Sequence, residues 1–278
     1  MQPKTIDIKP TVEGFVKARE LIEIRGTDTL TLQDRRIINM LYANAGSKLC
    51  DDTTHVISIS ELRGNHKGRE RVRDSIKRLM RTIVAVPSLD IENGTKHVAI
   101  LSDTTITDDE DDPYGRVLYS FSPGMRAIIR DSTLWGKVRH AVVFAFTSKY
   151  ALALYELITA RKNMTHVWDE KFPLEDLREL LGVTPDQLKR VPNLLQRVIN
   201  PAVIEVNGLA DFCVAVEPIR TGGKQRGQVT DFKVSWWKKS IPELQEAYQE
   251  LKRPKGGRLA RLKAMADSKS LTSPADAL

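Results

Sequence analysis

Seven of the chain's cations fall together: Lys67, Arg69, Arg71, Arg73, Lys77, Arg78 and Arg81 lie on or just before one amphipathic segment, "GRERVRDSIKRLMRTIVAV". Guanidinium and ammonium groups in such a row grip phosphates, and a purely cationic row does so without regard to base sequence. A second group differs in kind. Lys189, Arg190, Asn193, Gln196 and Arg197 mix cations with two amides over "TPDQLKRVPNLLQRVINPAVIEV". Asn and Gln pair bidentately with adenine and Arg with guanine, each worth about 1–3 kcal/mol of discrimination. A third group, Arg220, Lys224 and Arg226, sits around the glycine-rich tip "TGGKQRGQVT", where cations suit a phosphate contact. The plainer alternatives, ordinary helix surface for Asn193 and Gln196 and a solvated turn for the tip, stay open on the residues alone.

Other chemistries find little support. No G-x-x-x-x-G-K-[ST] loop is present, so nucleotide-driven work by this chain is not expected. The five histidines, His55, His66, His97, His140 and His166, never form a His-x-His or H-E-x-x-H pair, so no metal centre or hydrolase is anticipated. Tyr150 and Tyr155 are conceivable nucleophiles, but on an apolar helix stripe they read as core. Asp108 to Asp112 lacks the spacing of a calcium loop and reads as a solvated turn. Cys50 and Cys213 are far apart and read as reduced thiols. The expectation is a non-enzyme without cofactors.

Charge is segregated in the same way. The net charge is +7, yet residues 61–81, 186–200, 220–239 and 252–263 carry +5, +2, +5 and +6, leaving the rest at −11. Such segregation presents basic faces to a polyanion. At 278 residues, 41% hydrophobic and 28% charged, the composition is that of a soluble globular protein. No apolar run approaches 18 residues and the start lacks a signal peptide, so a cytoplasmic, bacterial nucleoid- or plasmid-associated location without membrane contact is expected.

The elements that must position these groups can be read from periodicity. Thr31 caps a helix with Ile37, Ile38, Leu41 and Tyr42 at helical spacing and Gly46 as a stop. The alternating "HVISIS" reads as a strand, followed by a short helix opening at Ser60. The basic segment is a long helix whose stripe is Val72, Ile76, Leu79, Met80 and Ile83. Strand-like runs near 83–87 and 97–101 flank Asn93-Gly94, a strong hairpin signal. The second half repeats the order: a Ser148-capped helix with Leu152, Leu154, Tyr155 and Ile158, the entry "KFPLEDLRELLGV" ending at Gly182, and a third helix opened by Thr184-Pro185. That helix buries Leu194, Val198 and Ile199, is limited by Pro201, and precedes the strands "FCVAVEPIR" and "DFKVSWW". Matching positions lie 116 (Thr31 to Thr147), 115 (Leu62-Arg63 to Leu177-Arg178) and 119 residues apart ("KRL" to "QRV"). Nearly constant offsets indicate an internal duplication. Between the halves, "RVLYSFS" reads as a further strand, "MRAIIRD" as a helical turn and "HAVVFAF" as a strand into the second unit.

Three helices followed by a hairpin form a winged helix-turn-helix, with the third helix shaped for a major groove. The expected fold class is therefore α+β: two tandem winged-helix domains, residues 1–138 for backbone grip and 139–250 for sequence reading. A basic tail, 251–278, is expected to be mobile over at least its last ten residues. Two such domains would cover about two turns of duplex.

The chain resembles the iteron-binding plasmid replication initiators. The likeness rests on "LTLQDRRIINMLYA", "FTSKYALALYELI", "FPLEDLRELLGV", "LQRVINPAVIEVN" and "VEPIRTGGKQRGQVTDFKVSWW" and spans roughly residues 11–240. It departs where family members often carry aromatics early in the third helix of the second domain; here stand Leu188 and Leu194, with Pro192 interrupting. The resemblance implies binding to direct repeats in double-stranded DNA at an origin and recruitment of a host initiator and helicase. It also implies a homodimer, joined through the first domain, in equilibrium with the monomer and repressing the protein's own gene. The rival reading is a winged-helix transcriptional regulator, which the duplication alone does not exclude.

Overall fold

The computed structural model describes residues 11, 13–63, 70–88, 91–92, 94–107, 115–223 and 227–271, and of these gives no side-chain placement for 70, 71, 87, 223 and 269–271. The chain divides into two compact units, Met1–His140 and Ala141–Leu278.

In the first unit, β1 (Gly14–Ala18) and α1 (Arg19–Ile22) lead to α2 (Leu32–Ala45). Thr31 caps α2 as its sequence indicates. Its hydroxyl accepts from the Asp34 N–H, and Asp34 accepts from the Thr31 N–H in return, which satisfies two of the orphan donors of the first turn. Then follow β2 (His55–Ser58), α3 (Ile59–Arg63) and α4 (Glu70–Arg81). The helix after β2 opens one residue earlier than Ser60: Ser58 Oγ accepts from the Glu61 N–H, and Glu61 accepts from the Ser58 N–H. Four strands come next, β3 (Ile83–Pro87), β4 (Thr95–Ala99), β5 (Leu101–Ile106) and β6 (Arg116–Phe121), then α5 (Pro123–Asp131) and β7 (Trp135–Arg139). Strand β7 returns to pair with β1. Within the stripe of α4, Val72, Ile76 and Leu79 are buried, but Met80 and Ile83 are not.

Which hairpin is the wing is settled by pairing. Strand β2 pairs with β6, and β6 with β5, giving the order β2-β6-β5. The Asn93-Gly94 hairpin, β3–β4, forms a separate two-stranded sheet. It is thus an insertion after α4, and the sequence expectation that it matched the second unit's hairpin is corrected: that place belongs to β5–β6. Residues 108–112, expected as a solvated turn, lie outside the described residues.

The division between the units falls after the first residue of α6 (His140–Ala145), a helix where "HAVVFAF" suggested a strand. Val142, Val143, Ala145 and Phe146 are all buried, and a short continuous apolar run does not distinguish buried helix from buried strand. Next are α7 (Lys149–Thr159), capped by Ser148, β8 (Asp169–Pro173) and α8 (Leu174–Leu180). Gly182, at φ 72°, ends α8 in the left-handed region, its N–H bonded to Glu179 and that of Val183 to Arg178. The next helix begins at Val191, not at Thr184-Pro185, which form a turn. It runs as α9 (Val191–Leu194), a π-helical turn at Leu195–Ile199 and α10 (Asn200–Leu209). Pro201 does not end it. Proline has no N–H for the carbonyl four residues back; here the widened π turn directly before it takes up the mismatch, with the Asn200 N–H bonded to Leu195. The buried stripe is Leu194, Val198, Ile199, Ala202, Val206 and Leu209. Strands β9 (Phe212–Arg220) and β10 (Val229–Lys238) complete the sheet β8-β10-β9, the same order as in the first unit.

After the second wing come α11 (Ile241–Lys252) and α12 (Arg258–Leu271), so the front part of the basic tail is helical; residues 272–278, most of the stretch expected to be mobile, lie outside the described residues. Gly208 allows α12 its approach to α10, because a Cβ there would run into the Leu262 side chain. Glu250, 1% exposed, accepts from Arg258 and Arg261, and Arg258 donates on to the Ala145 carbonyl at 2.8 Å.

Candidate nucleic-acid interface

In the first unit the cationic row on α4 is smaller than its sequence suggests. Arg78 turns inward and forks onto Asp34 of α2, with Nε and Nη2 each 2.9 Å from a carboxylate oxygen. Asp34 is fully buried. Burial alone pushes its carboxyl up, but the hydrogen bonds from Arg78, Ser75 and Thr31 outweigh it and hold Asp34 below the usual carboxylate range. Arg78 therefore locks α4 to α2, with Nε and Nη2 already given to Asp34. Arg73 is half-buried, while Lys77 and Arg81 are exposed and pair with no carboxylate among the described residues. Lys67 and Arg69 lie outside the described residues, as does the side chain of Arg71.

The second unit presents a different face. Just before the long helix, Lys189 and Arg190 are exposed, Lys189 in a loose 3.6 Å pair with Asp186. On the helix, Asn193 is half-buried and Gln196 and Arg197 are exposed, the last two on the π turn. The structure adds Asn200 to this face. It is exposed and follows Asn193, Gln196 and Arg197 at seven, four and three residues, so the four share one side. Sequence reasoning passed over it because Pro201 pointed to a helix end there; the amide's spacing was the available signal.

A second residue was missed for a different reason. Arg178, on α8, is 5% exposed and donates from Nη1 to the Leu188 carbonyl and from Nη2 to the Gln187 carbonyl, both at 2.8 Å. Leu188 is held at φ 53°, a left-handed conformation that a side chain resists. One buried guanidinium thus fixes the turn that carries Lys189 and Arg190 to the start of the helix. Nothing in "LEDLREL" marks this arginine as inward.

At the wing, Arg220 is also not a free cation: it is half-buried and its Nη1 donates to the Gly227 carbonyl at 2.9 Å, closing the base of the tip. Lys224 and Arg226 lie outside the described residues. Tyr150 is not fully buried, whereas Tyr155 is, stacked on Phe212 with ring centres 5.8 Å apart. Among the described residues no three His, Cys, Asp or Glu side chains gather as metal ligands, and no helix is long and apolar enough to cross a membrane.

The helix-and-wing plan is repeated and its exposed helix faces carry cations and amides, as a DNA-binding pair of domains requires. No curated protein matches the chain. Two crystal structures of RctB domains 2 and 3 are similar to it, one from selenomethionine derivatives, at 13% and 15% identity. The likenesses cover 80% and 79% of this chain and 85% and 84% of those chains, with TM-scores of 0.40 and 0.36, too loose to carry an argument. Family models give a direct answer. Residues 15–159 match that of "Initiator Replication protein, WH1", and residues 173–236 that of "Initiator Rep protein, WH2". The first match alone spans more than half of the chain and runs through α7, past the division after His140. The chain belongs to the plasmid replication initiator (Rep) proteins, DNA-binding proteins built from two winged-helix domains.

Proposed function

We propose that this initiator reads direct repeats in origin duplex DNA chiefly through its second domain. The observation that carries the reading is the face formed by the half-buried Asn193 and the exposed Gln196, Arg197 and Asn200. It mixes amides with a cation, the side-chain types that distinguish base edges in a major groove. The first domain, with Lys77 and Arg81 exposed on α4, supplies grip on phosphate and little sequence information. The chain acts as a binding protein without catalysis of its own. Its monomer engages the repeats and, through them, a host initiator and helicase, while a dimer joined through the first domain represses its own gene.

The test is selection of duplexes from a random pool, followed by a search for the winning sequence as tandem repeats beside the gene. Arg197→Ala should then lower affinity for the selected duplex by about 5–150-fold, the equivalent of 1–3 kcal/mol, while leaving binding to random duplex little changed. An equal loss on both would sink the division of labour. A nicking assay on supercoiled origin DNA with magnesium should give no relaxed product.

A further inference from the structure

The reading helix is not one uniform α-helix, and its irregular turn lies among the side chains offered to the duplex. Over Leu195–Ile199 the chain makes a π-helical turn, with the Asn200 N–H reaching back five residues to the Leu195 carbonyl. Gln196 and Arg197 stand on that turn, Asn193 before it and Asn200 directly after it. Single π turns inside α-helices are frequent at functional sites. The next residue, Pro201, is half-buried. It has no N–H for the Arg197 carbonyl four residues back, and in an α-helix its ring would press on that carbonyl. The wider turn moves the carbonyl off the ring.

The two sides of this turn are held unequally. On the C-terminal side, Glu205 accepts from both the N–H and the hydroxyl of Thr147. The side-chain amide of Asn207 bonds the N–H and the carbonyl of Val214, and Lys239 donates to the Ala210 carbonyl at 2.7 Å. Ala202, Val206 and Leu209 are buried there, and Leu262 sits against Gly208. On the N-terminal side, the arm formed by residues 191–195 buries Leu194, while its other residues are half-buried or exposed. A change in the turn therefore moves the arm and leaves α10 in place. Closing the π turn to an α turn takes out about one residue's worth of widening, a rotation of roughly 100°. Asn193 and Gln196 would then turn away from Asn200, which stays with α10.

We propose that Pro201 sets the register in which the helix reads base edges. By keeping the π turn open, it fixes the angle between Asn193 and Gln196 on one side and Asn200 on the other, and with it the preferred base sequence. Pro201 acts through these amides as a positioning residue. The inference rests on the duplex reading proposed above and adds the device that aims it. A purely structural proline is the competing account, and it predicts altered stability with unaltered preference.

The experiment repeats the selection from a random duplex pool with full-length Pro201→Ala, which restores the missing N–H, beside the wild type. Single variants Asn193→Ala, Gln196→Ala and Asn200→Ala first show which base pair each amide reads. Pro201→Ala should melt no lower than the wild type, because alanine is the better helix residue. It should select a sequence changed at the base pairs read by Asn193 and Gln196 and unchanged at that read by Asn200. Its affinity for the wild-type sequence should fall about tenfold, within the range of one lost bidentate contact, with binding to random duplex unaltered. In a background of Asn193→Ala and Gln196→Ala, Pro201→Ala should cost less than about twofold more, because nothing is left to aim. A further tenfold loss in that background would overturn the proposal. So would selection of the wild-type sequence by Pro201→Ala, or an equal loss on selected and random duplex. If the wild type selects no sequence, the duplex reading itself fails; a sequence shared by both proteins sinks only the register.

Discussion

Asp34 illustrates how one carboxylate can decide what neighbouring cations are for. It caps α2 through Thr31 and receives both arms of Arg78, so that this guanidinium holds two helices together. Arg78→Ala should therefore cost stability. The expected loss is about 2 kcal/mol in chemical denaturation, below the 3–5 kcal/mol of a fully buried pair because the Arg78 side chain is 42% exposed and partly screened. Replacing the exposed Lys77 and Arg81 by alanine should do the opposite: leave stability nearly unchanged and reduce the salt slope of DNA binding by about two phosphate equivalents at most. A variant at Arg78 that changed the salt slope without unfolding would return it to the interface.

At the scale of elements, the turn between α8 and the reading helix is held by Arg178. Arg178→Met removes both anchors of the Gln187 and Leu188 carbonyls. The turn would then relax from the left-handed conformation of Leu188, worth about 1–2 kcal/mol of strain, and carry Lys189 and Arg190 away. Affinity for the selected duplex should fall about tenfold, a shift of 1.4 kcal/mol. Adding Leu188→Gly, which accepts that conformation without strain, should recover part of the loss in the same binding assay. No recovery would mean that Arg178 serves stability alone.

For the molecule as a whole, the two units should answer differently to acid and to truncation. Burial lowers the pKa of His55 and of His140, both in the first unit. The unfolded chain then binds protons first, so stability is full above about pH 6.5 and declines as pH falls below it. Thermal unfolding followed from pH 7.5 to 5.5 should show this decline, and His55→Phe should flatten it; an unchanged slope would contradict the assignment. In the second unit, deletion of residues 253–278 strips Arg258 and Arg261 from the buried Glu250 and uncovers α10 at Gly208. A loss of about 3 kcal/mol or more is expected. A truncated chain that melts with the full-length one would mean that these contacts add nothing to the stability of the unit.

The sequence by itself determined what depends on neighbours in the chain. Caps at Thr31 and Ser148, the stop at Gly182, the stripe Val72, Ile76 and Leu79, and the strands around the second wing are local: spacing and backbone chemistry fix them, and the near-constant offsets expose the duplication. Tertiary structure alone decided where polar side chains spend their hydrogen bonds. Arg78, Arg178 and Arg220 look like any surface arginine until a partner 44, 10 or 7 residues away claims them. It also decided which hairpin joins β2, that "HAVVFAF" is helix, and that Pro201 lies within a rod instead of at its end. Each of these turns on contacts between distant segments, whose energies no short window of residues contains.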